Sequence, residues 1–300
     1  HTERDKLTHF IAALHEQLPE LPIYLYSTHS LLPSHLSAQV SSGLIGFINA
    51  DEDTPLYAAQ QIIRSAEAYV HQLAPPFFRA LLEHTAKRAQ SWHCPGHTGG
   101  LAFLKHPVGY IFHHFFGENM LRADVCNAVE TLGQLLRHSG AIGASERKAA
   151  QIFQADHSFF VTNGTSTSNK IVWHSAVSAG DIVLVDRNCH KSNIHALIMI
   201  GAIPVFLPPT RNAHGFIGPI ARRLLEPNHL RAHLLSHPLA RQILEKDPSV
   251  RPKMLAITQS TYDGIVYNAE KIKHLVDGEV EVLLFDEAWL PHASFHPFYK

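Results

Sequence analysis

Apolar and polar positions along this 300-residue chain follow two rhythms, and the clearer one begins near residue 129. From there on, short unbroken apolar runs recur between stretches of helical spacing: SFFVTN (158–163), DIVLVD (181–186), IPVFLP (203–208), MLAITQ (254–259) and VEVLLFDEAW (280–289). Each reads as a strand buried on both faces, since a strand with one wet face would alternate apolar and polar residues. The segments between them predict helices: one near Ser145, with Ser145 as its cap and Glu146 in its first turn, one through about Val177, one from about Ser192 and one over about 268–276. Residues 209–252 read as a polar stretch punctuated by proline, with no element assigned. Strands alternating with helices imply an α/β fold, a mostly parallel sheet with helices on both faces. Ligands of such sheets bind beyond the carboxyl ends of the strands. The polar groups there, Thr162 to Ser168, Arg187 to Ser192, Thr258 to Asp263 and Asp286 to Trp289, should therefore converge on one edge.

The opening part is less regular. LPIYLYS (21–27) and LIGFINA (44–50) read as buried strands, and 55–73 as a helix with Pro55 in its first turn. Together they suggest a piece of a small α/β unit. A helix over 75–88 is followed by the irregular, glycine-rich SWHCPGHTGGLAFLKHPVG (91–109), a long loop of the kind that often carries function.

Composition narrows the function classes. With a net charge of −1 when histidine is neutral, no basic surface points to nucleic acid. Gly and Pro interrupt even the longest apolar runs, such as HALIMIGAIPVFLPP, too soon for a membrane span. Neither a signal peptide nor an anchor motif is visible. The three cysteines are far apart and form no Cys-x-x-Cys pair, which fits a reducing cytoplasm. Histidine is abundant, yet His113 and His114 are adjacent and splayed apart, and no pair follows the zinc-hydrolase spacing, so no metal site is expected.

The chemistry gathers at the strand ends. In VTNGTSTSNK (161–170) a glycine leads into hydroxyl residues at a strand-to-helix turn, where backbone N–H groups and the helix dipole favour an anion. The second glycine and the Gly-Lys-Ser/Thr ending of a nucleotide loop are missing, so a nucleoside triphosphate is a poor fit. Taken alone, the turn also reads as an ordinary N-cap. Asp286 ends the apolar run EVLLF, where burial penalises a bare charge unless a cation pairs with it. His190, in DRNCHKS, offers a flat ring beside another strand end. Singly, Asp286 could be a cap or a metal carboxylate and His190 a loop histidine. Together, a phosphate seat, an aromatic lid and a buried carboxylate match the points at which pyridoxal 5′-phosphate is held.

These segments resemble the prokaryotic ornithine/lysine/arginine decarboxylases, fold type I pyridoxal-phosphate enzymes. The resemblance spans nearly the whole chain and rests on WHCPGHTGG (92–100), KHPVG (105–109), FFGEN (115–119), LGQLLRHSGAIG (132–143), SER (145–147), FFVTNGTSTSNK (159–170), VDRNCHKS (185–192), PTRNAHGFIGPI (209–220), TYDG (261–264) and FDEAW (285–289). It implies that Thr165 and Ser166 bind the cofactor phosphate, with Thr167 a weaker candidate. It further implies that His190 stacks on the ring, that Asp286 pairs with the ring nitrogen and that Trp289 lies beside the cofactor. Asp286 and His190 are thus the candidate catalytic residues. The implied organisation is part of a small flavodoxin-like wing domain over 1–74, a linker region over 75–128 and the cofactor-binding large domain over 129–300. The implied reaction is decarboxylation of lysine, arginine or ornithine, a small basic amino acid, in a cytoplasmic homodimer or higher homo-oligomer. An inclination toward lysine or arginine comes from FDEAWLPHA.

The family's cofactor-anchoring lysine lies downstream of the Asp-x-Ala-Trp segment, in a Ser/Thr-x-His-Lys motif that does not follow here. Lys191 matches a different family lysine, beside the stacking histidine, and neither Lys170 nor Lys300 fits. The chain is accordingly expected to be an incomplete piece of a longer decarboxylase, inactive alone. Two rivals stand beside this reading. An aminotransferase would use the same phosphate, stacking and aspartate residues, and a non-catalytic paralogue would bind the cofactor without anchoring it.

Overall fold

The computed structural model describes residues 3–28, 38–88, 92, 94–126 and 129–299. Two compact units divide the chain, His1–Phe160 and Val161–Lys300.

In the first unit, α1 (Glu3–Gln17) leads to β1 (Tyr24–Ser27), and α2 (Ala38–Ser42) to β2 (Gly46–Asn49). The two strands pair in parallel from Tyr24 opposite Gly46 to Ser27 opposite Asn49, within the two runs expected to be strands, but they are not the buried strands expected: of their residues Ile48 alone is buried, and Tyr26 and Phe47 are exposed. Helix α3 (Pro55–Leu73) begins as expected at Pro55, where Thr54 Oγ1 accepts the Tyr57 N–H at 3.3 Å. The Tyr24 hydroxyl ties β1 to this helix through Ser65 Oγ at 2.6 Å and Gln61 O at 3.2 Å. Next come α4 (Pro76–Ala86), α5 (Pro107–Phe116), α6 (Glu118–Ala123) and α7 (Gly140–Phe153). The glycine-rich loop before α5 folds around His97. Its Nδ1 accepts the Gly100 N–H at 3.0 Å, its Nε2 lies 3.0 Å from Asp124 Oδ2, and its ring stacks on Phe103.

Two expectations fail at α7. The helix starts at Gly140 rather than near Ser145, because Gly140 adopts φ +62° and packs its backbone on Gly133; a Cβ on Gly140 would lie 2.7 Å from the Gly133 Cα. Ser145 is therefore buried inside α7. It does cap a helix, but its neighbour's: its Oγ accepts the Phe77 N–H at the start of α4 at 2.7 Å. Glu146 is buried as well, taking His138 Nδ1 at 2.9 Å and the Phe160 N–H at 2.9 Å. That second bond accounts for the other miss, since residues 158–163 form no strand and the Phe160 donor goes to a carboxylate instead of a ladder.

The second unit carries α8 (Thr165–Ala176), β3 (Ile182–Asp186), α9 (Lys191–Ile200), β4 (Ile203–Leu207), β5 (Pro209–Arg211), β6 (Ile217–Ile220), α10 (Pro227–Ser236), α11 (Pro238–Lys246), β7 (Met254–Thr258), α12 (Ala269–Leu275) and β8 (Val282–Asp286). The order β4-β3-β7-β8 makes a four-stranded sheet, parallel throughout. Successive residues face opposite ways. Ile182, Leu184, Leu255 and Ile257 pack with Leu230, Leu234, Ala240, Leu244 and Ile272 from α10, α11 and α12. Val183, Val185, Met254 and Ala256 pack on the other face with Trp173 of α8 and Ala196 and Leu197 of α9. Both faces are covered, as unbroken apolar strands require.

The stretch 209–252, to which no element was assigned, holds the antiparallel pair β5–β6 and two helices. Pro227 and Pro238 occupy the first turns of α10 and α11, where the missing N–H costs no bond, so these prolines open helices rather than break them. The connection leaving β3 covers one face of the sheet and those leaving β4 and β7 the other. A crevice therefore opens at the carboxyl ends of β3 and β7.

Candidate active site

A cavity of about 530 Å³ occupies that crevice. All four polar strand-end groups contribute to its wall: Asn163 to Ser166 with Asn169, Asn188 to Lys191, Thr258 with Ser260 to Tyr262, and Asp286 with Ala288 and Trp289.

Gly164, with φ +77°, turns the chain into α8, and nothing would meet a Cβ there within 4 Å, so the turn and not crowding calls for glycine. The N–H groups of Thr167 and Ser168 return to the Gly164 carbonyl at 2.9 and 3.2 Å, which leaves those of Thr165 and Ser166 at the open end of the helix beside the cavity. The Thr167 hydroxyl turns away and donates to the Asn163 carbonyl at 3.3 Å, and Thr167 does not line the cavity. Thr165 and Ser166 are brought to the site; Thr167 is not.

His190 is the N-cap of α9, its Nδ1 accepting the Ser192 N–H at 3.2 Å. Asp286, buried at the end of β8, receives Asn169 Nδ2 at 2.8 Å and Asn193 Nδ2 at 3.4 Å on Oδ2, and the Ala288 N–H at 3.4 Å on Oδ1. Trp289 meets Tyr262 edge to face at 4.5 Å on the rim. Cys189 lines the wall, and burial, assisted by the negative charge of Asp186, pushes its thiol up to about 11. Lys191 also reaches the wall; Lys170 does not, and Lys300 lies outside the described residues.

Sequence reasoning missed Asn169 and Asn193, and placed Ser192 and Ser260 at the sheet edge without giving either a role. The available signal was weak but physical. Asparagine is a poor helix former, and Asn169 stands one turn after Thr165, inside a helix and on the same face. Ser260 Oγ is buried at the wall with no hydrogen-bond partner among the described residues. A buried orphan hydroxyl at a cavity wall is what a site shaped for a polar guest presents.

Donor set and shape suit pyridoxal phosphate: a helix end for the phosphate, a buried carboxylate for a ring cation, a flat imidazole, and room enough.

Comparison with known proteins gives the lineage. Residues 75–300 match the family described as Orn/Lys/Arg decarboxylase, major domain, and residues 2–69 its N-terminal domain. The chain is 50% identical over 284 residues to lysine decarboxylase LdcA of Pseudomonas aeruginosa, covering 94% of this chain and 37% of that one. It is 36% identical over 297 residues to the biodegradative arginine decarboxylase of Escherichia coli, covering 99% of this chain and 39% of that one. The solved structure of lysine decarboxylase A from Pseudomonas aeruginosa superposes with a TM-score of 0.81 at 47% identity, over 99% of this chain and 39% of that chain. The chain thus spans well under half the length of the relatives it matches.

Proposed function

From the premise that this chain belongs to the Orn/Lys/Arg decarboxylase family, we propose that the cavity seats pyridoxal 5′-phosphate in an enzyme that decarboxylates a basic amino acid. The observation that carries the reading is the convergence of the α8 N-terminus, His190 and buried Asp286 on one cavity.

In this reading the N–H groups and hydroxyls of Thr165 and Ser166 hold the phosphate, His190 covers the ring, and Trp289 closes the rim. Asp286 keeps a proton on the ring nitrogen by pairing with it. When bound, the cofactor supplies an electron sink for the charge left as carbon dioxide departs. Asp286 itself is buried, and the lower local dielectric there strengthens its pairing with a cation. Lysine is the favoured substrate, on the support of the 50% identity to a lysine decarboxylase. The proposed organisation keeps a wing over 1–74, a linker over 75–128 and the large domain from 129. A homodimer or higher homo-oligomer belongs to the same reading, supported by the family alone. A cytoplasmic location is supported by three widely spaced cysteines with no Cys-x-x-Cys pair, and no described helix is long and apolar enough to cross a membrane.

A product assay on the full-length protein with pyridoxal phosphate tests the proposal. Carbon dioxide and a diamine from lysine are expected. A keto acid would instead mark an aminotransferase, and no product from lysine, arginine or ornithine would overturn the reading.

A further inference from the structure

A single run of hydrogen bonds links the two groups proposed to flank the cofactor ring. Asp286 Oδ2 accepts from Asn169 Nδ2 at 2.8 Å, and the same amide nitrogen donates to Ser192 Oγ at 3.0 Å. Ser192 Oγ in turn lies 2.8 Å from His190 Nδ1. Asn169, Ser192 and Asp286 are all buried.

The polarity of this run is fixed from one end. An ionised carboxylate only accepts, so the Asn169 amide must present its NH₂ group to Asp286, and both of its protons are then used. Ser192 Oγ receives one of them and passes its own proton on to His190 Nδ1. That nitrogen also takes the Ser192 N–H, so the ring proton of a neutral imidazole lies on Nε2. On the other side, the Trp173 indole, which only donates, gives its N–H to Asn193 Oδ1 at 2.8 Å and thereby turns the Asn193 NH₂ group toward Asp286 Oδ2. Oδ2 is thus saturated from two sides, while Oδ1 holds one long bond from Ala288.

We propose that Asn169 is a positioning residue that couples Asp286 to His190. It reserves Oδ1 for a cation in the cavity and, through Ser192, sets the tautomer of the ring above it. The proposal rests on the cofactor reading and assigns a role to a residue that reading does not use.

The geometry separates Asn169 from Asn193. Both are buried amides on the same carboxylate oxygen, but Asn193 also satisfies the core indole of Trp173, whereas the Asn169 amide donates, among the described residues, to Ser192 and Asp286 alone. Asn169→Leu and Asn193→Leu in the full-length protein should therefore give crossed results. The measurements are pyridoxal phosphate titration by visible absorbance and circular dichroism, steady-state kinetics, and melting of the protein before cofactor is added. Asn169→Leu is expected to weaken cofactor binding by about tenfold or more, the ratio lost with a hydrogen bond to a charged group, and to lower kcat more than it raises KM. Asn193→Leu should show the larger fall in melting temperature. Ser192→Ala, which keeps the Asn169–Asp286 bond, should alter the dichroism of bound cofactor with little loss of affinity. Wild-type affinity in Asn169→Leu overturns the coupling and leaves the cofactor reading standing. If Asn169→Leu fails to fold, an unchanged dichroism band in Ser192→Ala overturns it. No cofactor band in the wild type removes both.

Discussion

In the second unit two apolar clusters are buried on the two faces of one sheet, whereas in the first unit helices α3, α4 and α5 contain no buried side chain. Each of those three helices has a marked apolar stripe. In α5 the exposed side chains include Tyr110, Ile111 and Phe115, the last 80% exposed. The contrast teaches what amphipathic patterning does and does not carry. A helical stripe states which face is to be covered, while the cover itself can come from elsewhere in a longer protein or from another copy. A strand that is apolar at every position demands layers on both sides, and the second unit supplies them from its own α8 to α12. The candidate site sits on the part of the chain that builds its own support.

Substitutions can break or sharpen this contrast. The largest effect is expected at the strand end in the second unit. Asp286→Ala in the full-length protein should cost roughly a thousandfold in kcat, since it removes the carboxylate that keeps the ring nitrogen protonated and the ring an electron sink, while a cooperative thermal transition remains. Near wild-type turnover would sink the assignment. Thiol chemistry comes next. With the Cys189 thiol pushed up to about 11, roughly one molecule in a thousand carries its thiolate at pH 8, so alkylation there should modify exposed Cys94 and spare Cys189. Raising the pH toward 11 should bring Cys189 into reaction, and peptide mass mapping reads both sites. Equal labelling at pH 8 would mean that the second unit is not closed around its wall.

Packing gives the next smaller effect. Leu184→Ala, at a fully buried position of β3, should destabilise the chain by about 2–5 kcal/mol in a denaturant titration. In the first unit Glu146 makes comparably buried polar contacts. Glu146→Gln keeps its shape but loses the charge that His138 and the Phe160 N–H share, for an expected loss of about 1–3 kcal/mol by the same titration. At the bottom of the scale, Phe115→Ser on α5 should change stability by about 0.5 kcal/mol or less and should raise solubility. A large destabilisation there would show that α5 is covered within this chain after all, and the contrast between the units would fail.

Much of this was legible in residue order. The four strands of the sheet declared themselves as apolar runs, since a stretch buried on both faces has no polar alternation to hide it. Because parallel α/β topology places the loops after those strands on one edge, His190, Asp286 and Trp289 could be grouped from residue order, whereas Thr165 and Ser166 joined them through an expected strand, 158–163, that does not form. The errors also have physical causes. Helices α10 and α11 were obscured by Pro227 and Pro238, which read as punctuation until their place at helix starts is seen. Ser145 looked like the cap of its own helix and caps α4 instead, because Gly140 and Gly133 approach closely enough to start α7 earlier.

Residue order by itself thus determined the layers, the edge on which chemistry gathers and the residue types that gather there, since burial periodicity and strand direction are local properties of the chain. Tertiary structure alone decided that Thr167 turns to the backbone while Thr165 and Ser166 face the cavity, and that Asn169 holds Asp286 across 117 residues of sequence. The reason is that a hydrogen bond depends on distance and direction between groups, and those are set by how the elements pack, which no spacing along the chain records.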